Sequence, residues 1–246
     1  MRATLRNLRK ALLIAWKDSK IYYFSMPSLM MGLLFPGMMF VMFWLGRGMS
    51  LSDALPRLAA LTAFFGGSSI GVTTIALERT QRTFDTQLAM PVSLFTLVLG
   101  KTIASFLFGF LVAAAPVAIL LPFAGSGIQS PPLLIIAIAF SALSAAGLGM
   151  LLSAAARHMH EAMTPLNVIR IPMMFISGIF IPISAMPVTA KVAAYLMPLT
   201  HSMLSIRYAI LGEGALRVYL LSLCGLSAYS LVFVAAAARR LGKSLA

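Results

Sequence analysis

The sequence predicts an all-α polytopic membrane protein with six transmembrane helices, an N-terminal interfacial amphipathic helix, and short re-entrant outer helices before the last crossing. Three observations predict it. Of 246 residues, 60% are hydrophobic and 10% charged, against roughly 25% charged in a soluble domain. Apolar runs recur along the whole length, near the ~20 residues that a helix needs to cross a bilayer core of ~30 Å. The formal charge of +13, from 19 Lys and Arg against 6 Asp and Glu, fits basic cytoplasmic segments that meet anionic lipid head groups. The membrane accounts for this charge, so nucleic acid is not expected as a partner. Two units follow, an interfacial helix over 1–24 and one membrane domain over 25–246, with connections too short for a further fold.

Within 1–24, Arg2, Arg6, Arg9, Lys10, Lys17 and Lys20 interrupt Leu5, Leu8, Leu12, Leu13 and Trp16. No apolar stretch is continuous enough for a cleavable signal peptide. Leu5, Leu8, Leu12 and Trp16 fall on one helical face, which predicts a helix lying on the membrane surface with Tyr22 and Tyr23 at head-group level. The first crossing is expected over 28–45, with Pro36 inside it and Trp44 in an outer aromatic belt. A polar link with Arg47, Asp53 and Arg57 leads to the second crossing, 58–77. Glu78, Arg79, Arg82 and Asp85 then form the densest charge cluster outside the termini.

The third crossing is expected from Lys101, whose amine would snorkel to the interface, to a turn marked by Pro122, Gly125 and Gly127 ahead of Pro131 and Pro132. The fourth covers 133–156 and is closed by Arg157, His158, His160 and Glu161. The fifth runs over 163–181 despite Pro165, Pro172 and Arg170. Residues 182–217 contain Pro182, Pro187 and Pro198 yet include apolar pieces such as 192–197, so short segments dipping into one leaflet fit best. The sixth crossing, 218–238, is stopped by Arg239, Arg240 and Lys243. With both termini cytoplasmic, 14 of the 19 basic residues lie inside and Arg47, Arg57, Lys191, Arg207 and Arg217 outside, as the positive-inside rule requires.

Little in the chain points to chemistry of its own. Gly100, Lys101 and Thr102 end like a phosphate-binding loop, but Phe95 stands where that loop needs its first glycine. Gly242, Lys243 and Ser244 fail in the same way at Ala237, so ATP hydrolysis by this chain is not expected. His158, His160 and Glu161 lack a shared helix face and read as a solvated turn, not a metal site. The 17 methionines, Met38 and Met42 among them, would suit Cu(I) but are read as packing groups. No catalytic cluster and no metal ligand set is found. Cys224, the single cysteine, excludes an intramolecular disulfide. Arg170 lies ~10 Å inside its crossing at 1.5 Å per residue. It either snorkels back to the surface or faces a cavity or partner as a polar residue of a pathway. Gly67 with Gly71, and Ser141 and Ala145 with Gly149, mark faces where helices approach closely.

Two stretches carry a family resemblance. In 78–93, Glu78, Arg79, Thr83, Asp85, Leu88, Pro91, Val92 and Ser93, followed by Gly100 and Lys101, resemble the cytoplasmic link between the second and third crossings of ABC-2 type transporter permeases. Arg82 replaces that family's usual glycine, Asp85 its glutamate and Gln87 a leucine. In 177–212, Ser177-Gly178, Pro182, Met186-Pro187, Pro198-Leu199-Thr200-His201, Arg207 and Gly212 resemble the family's outer region, where short helices re-enter before the last crossing. The resemblance implies the permease half of an exporter in the cell (inner or plasma) membrane. Its expected partners are two copies of a separate ATP-binding cassette subunit, which uses ATP and Mg, a second permease copy as a homodimer, and membrane lipid. The permease itself binds no cofactor. Glu78, Arg79, Arg82, Thr83, Asp85 and Pro91 are the expected coupling residues, and the cargo is expected to be hydrophobic, amphipathic or lipid-linked. The alternatives are an ion-gradient-driven secondary transporter and a non-transporting membrane anchor. Inverted repeats, frequent in the first, are not visible between 28–122 and 133–238.

Overall fold

A computed structural model describes residues 2–124 and 127–245, without the side chains of residues 2–6, Pro27, Phe43, Arg47 and Leu245. Gly125 of the expected turn, and the side chains of Arg2, Leu5, Arg6 and Arg47, therefore lie outside the described residues. The described chain forms α1 (Arg2–Tyr22), α2 (Met26–Leu29), a π turn (Met30–Leu34), α3 (Phe35–Arg47), α4 (Leu51–Thr80), α5 (Phe84–Leu88) and α6 (Leu94–Leu120). These are followed by α7 (Pro131–Ala155), α8 (Met159–Ile176), α9 (Val188–Tyr195), α10 (Pro198–Leu211) and α11 (Leu216–Leu245). There is no strand among the described residues. The protein is an all-α polytopic membrane protein. Among the described residues four helices are long and apolar enough to span a bilayer: Leu51–Thr80, Leu94–Phe123, Pro131–Ala155 and Leu216–Ser244. The other two expected crossings correspond to the α2–α3 run and to α8, which has 18 residues.

Local chemistry sets the helix boundaries. Ser50 caps α4 by accepting the Asp53 N–H at 3.2 Å, and Ser93 caps α6 by accepting that of Thr96 at 3.2 Å, each satisfying one of the open donors of a first turn. Asp53 and Arg57 consequently belong to the first turns of α4 and not to a link. Likewise α6 starts one and a half to two turns before Lys101. The π turn directly precedes Pro36, and the Phe35 N–H reaches back to the Met30 carbonyl. Proline supplies no N–H and crowds the carbonyl four residues earlier, so a wider turn relieves the ladder there. The prolines after residue 180 mark starts: Pro187 precedes α9 and Pro198 opens α10. Helix α8 ends at Ile176, short of the expected 181, where Gly178 takes φ +87.

Cross-links fix which ends lie together. Arg79, at the end of α4, donates to the Ala156 carbonyl at 2.7 Å and to Ser244 Oγ at 2.8 Å, beyond the ends of α7 and within the last turn of α11. At the opposite end Arg57 donates to the Ile179 carbonyl, and the Gln129 and Ser130 N–H groups pair with the Ile210 and Ala209 carbonyls at 3.1 Å each. One end thus gathers Arg79, Arg157 and the α11 terminus, and the other gathers Arg57, α9 and α10. Between them α4 is enclosed on all sides: Phe64, Phe65, Ile70 and Ile75 are fully buried. The faces marked by Gly67, Gly71, Ala145 and Gly149 do meet. A Cβ at Gly149 would stand 2.3 Å from the Ser68 carbonyl and one at Gly67 2.7 Å from that of Ala142, so α4 and α7 touch backbone to backbone.

Candidate functional site: a buried charge cluster under the first helix

Helix α1 has two unlike faces. Leu8, Leu12, Leu13, Trp16 and Ile21 are exposed, whereas Ala11, Ala15, Asp18 and Tyr22, spaced four, three and four residues apart, are buried. The second stripe lies on one face of a 3.6-residue helix and docks α1 onto α6. At Gly100 an added Cβ would meet the Ala11 carbonyl at 2.7 Å and Ile14 Cβ at 2.9 Å, so the glycine is there to let α1 lie on the α6 backbone. Tyr22 and Tyr23, expected at head-group level, both turn toward protein. Tyr22 is buried, and Tyr23 donates its hydroxyl to the Ala104 carbonyl at 2.8 Å and packs on Phe108 at 5.0 Å between ring centroids. The docked face of α1 leaves both rings pointing into protein.

Four charges meet beneath this face. Lys101 Nζ lies 2.6 Å from Glu78 Oε2 and 3.1 Å from Asp18 Oδ2, and Lys17 Nζ lies 2.9 Å from Glu78 Oε1 and 2.8 Å from Asp18 Oδ1. Lys101 and Asp18 are fully buried and Glu78 is 2% exposed, while Lys17 reaches the surface. The expectation that Lys101 snorkels is therefore corrected: α6 begins early enough to set this lysine inside, where two carboxylates replace water. Two cations and two anions balance. That matters because a desolvated charge costs several kcal/mol unless paired with good geometry. Burial works against the Lys17 charge, but Asp18 and Glu78 hold its pKa above the ordinary lysine value. Burial, with the Glu78 and Asp18 carboxylates adding to it, pushes the Tyr22 phenol far above the usual tyrosine value.

The 78–93 stretch leaves this cluster for the surface. Glu78 faces the interior. Arg79 ties three helix ends together and packs over the Phe84 ring at 5.2 Å. Arg82 has φ +58, and the Thr83 N–H returns to the Glu78 carbonyl at 2.9 Å while that of Arg82 reaches Arg79 at 3.1 Å. This is a Schellman closure, whose left-handed position usually carries glycine. Phe84 is buried and anchors α5, leaving Arg82, Thr83, Asp85 and Pro91 exposed. Lys10 of α1 donates to the Pro91 carbonyl at 2.5 Å. The cluster and the exposed α5 turn are thus one unit with α1.

The remaining predicted site residues lie elsewhere. Arg170 does not snorkel. It is fully buried, with Nη1 2.9 Å from Ser69 Oγ, Nε 2.9 Å from Asn167 Oδ1, and its guanidinium 4.5 Å over the Phe65 ring. Its Nη2 has no hydrogen-bond partner among the described residues. In the outer region Gly178, Pro182 and Arg207 line one cleft of about 410 Å³ with Lys191 and Tyr195. Arg207 Nε pairs with Glu213 at 2.9 Å. Pro187 and Pro198 start helices, and His201 Nε2 lies 3.0 Å from the Tyr195 carbonyl, stapling α10 to the end of α9. Glu161, in the first turn of α8, accepts the Arg157 N–H at 2.9 Å and ties the residues before the helix to its start. Sequence reading missed Asp18 and the pairing of Lys17. The signal was a lone acid in a basic helix, sharing its face with Ala11 and Ala15.

These features describe a helical membrane bundle with a docked first helix and an exposed turn at one end. The chain belongs to the ABC-2 type transporter family, whose sequence model matches residues 2–211. It is similar to the probable multidrug ABC transporter permease YbhR of Escherichia coli strain K12, with 26% identity over 152 residues covering 60% of this chain and 40% of that protein. The same figures hold for the protein of that name in Escherichia coli O157:H7. The chain thus matches less than half the length of these relatives. The matched model describes the membrane-spanning part of that family.

Proposed function

We propose that the chain is the permease half of an exporter, moving a hydrophobic, amphipathic or lipid-linked cargo with ATP and Mg used by a separate subunit. Six crossings over 25–246 form the pathway domain, and residues 1–24 the interfacial helix. Both termini face the cytoplasm of a cell or inner membrane. Two permease copies, as a homodimer, sit above two ATP-binding subunits. The observation that carries this reading is the continuity from the exposed Arg82, Thr83, Asp85 and Pro91, through Arg79 and the Lys17–Asp18–Glu78–Lys101 cluster, into α4 and α6. Movement of the ATPase pair against α5 and α1 reaches the bundle through these paired charges, so the helices tilt as a body. Arg170 is the polar residue proposed for the pathway, because its unused Nη2 donor needs an acceptor that the resting helix pair does not supply. The test is Arg82→Glu combined with Asp85→Lys, both on the exposed turn. In the reconstituted complex, transport and cargo-stimulated ATP hydrolysis should fall at least about tenfold, equivalent to ~1.4 kcal/mol of coupling, with the permease still folded. Unchanged transport sinks the assignment.

A further inference from the structure

We infer that the terminal turns of α11 form a binding site for an anionic glycerophospholipid, separate from the transport pathway. Val232, Ala235, Ala236, Arg239, Arg240 and Lys243 recur at three- and four-residue spacing along one face of α11, with the apolar residues toward the bundle middle and the cations at its end. From Val232 to Lys243 is ~16 Å at 1.5 Å per residue, enough for much of an acyl chain below a head group. Val232 is 62% exposed, and Arg239, Arg240 and Lys243 are exposed as well.

Lys243 also borders a second, polar cleft of about 530 Å³, which Arg79, Arg157, Asp85 and Ser244 share. Five cations therefore surround the end of that apolar face, with Asp85 the single acid among the residues lining it and the cleft beside it. Arg79 donates to the Ala156 carbonyl and Ser244, both neutral, and Asp85 offsets part of its charge, which leaves the five cations in excess. An apolar face that ends in an excess of cations matches an acyl chain ending in a phosphate. Neutral or zwitterionic lipid gains nothing from those cations, and an acidic protein surface has no use for the apolar wall.

The test compares retention of phosphatidylglycerol and phosphatidylcholine of equal chain length on the purified chain by native mass spectrometry. The intact protein should favour phosphatidylglycerol by tenfold or more, since each cation near an anionic surface contributes about fivefold. Arg239→Gln, Arg240→Gln and Lys243→Gln together should remove most of that preference, as should the milder Arg157→Gln in part. Lys191→Gln with Arg217→Gln, at the other end, should leave it intact. Equal retention of the two lipids overturns the site. So does a preference untouched by the α11 variant, retention of free phosphate in place of lipid, or loss of ATP-binding-subunit association with lipid retention unchanged.

Discussion

Arg82 shows how a single residue reports on the turn it occupies. A non-glycine side chain at φ +58 carries a steric cost of roughly 1–2 kcal/mol that glycine does not. The hydrogen bonds of the Schellman closure are nevertheless complete, so the neighbouring contacts hold arginine there. Arg82→Gly should raise thermal stability by about 0.5–1 kcal/mol net, the added chain entropy of glycine offsetting part of the gain, and a thermal melt in detergent would show it. A loss of stability would mean that the Arg82 side chain makes contacts worth more than the strain. The family likeness around Glu78 and Pro91 was legible from the residue string. That Glu78 turns inward was not, because its partner Lys101 stands 23 residues away and Asp18 a further 60 in the other direction.

At the scale of elements, the docking of α1 is the arrangement most open to attack. Lys101→Met leaves two buried carboxylates with Lys17 alone, and breaking a buried pair by removing one partner typically costs ~3–5 kcal/mol. Hydrogen exchange of α1 should rise accordingly, and adding Asp18→Asn should recover part of the loss by restoring the balance of charge. Unchanged exchange in the single variant would contradict the cluster's role. Docking should also depend on pH. Lys17 and Tyr22 both bind their protons more tightly in the folded state than the free values of 10.5 and 10.0. Their contribution is fully present below about pH 10 and is lost as pH rises through the higher folded values. Trp16, exposed and 5.0 Å from Lys20, is a suitable fluorescence reporter; its signal should be flat up to about pH 10 and change above it.

The whole molecule was readable where apolar length alone decides, as in α6, α7 and α11. It was less so where polar residues sit inside a helix. Asp53 and Arg57 read as a link when charge is treated as a boundary, yet the first two turns of a capped helix accept both, and Lys101 conceals the true start of α6 for the same reason. Which face of α1 docks depended on Gly100, a contact between residues some 90 positions apart that no local periodicity encodes. In the proposed function the same bundle, with α4 wrapped by its neighbours and its exposed turn tied to α1 at one end, moves as a unit. The most direct measurement is cargo accumulation in proteoliposomes holding this chain with and without its ATP-binding partner. Uphill movement of an amphipathic dye should require both the partner and ATP. Uphill movement by this chain alone, driven by an ion gradient, would contradict the account.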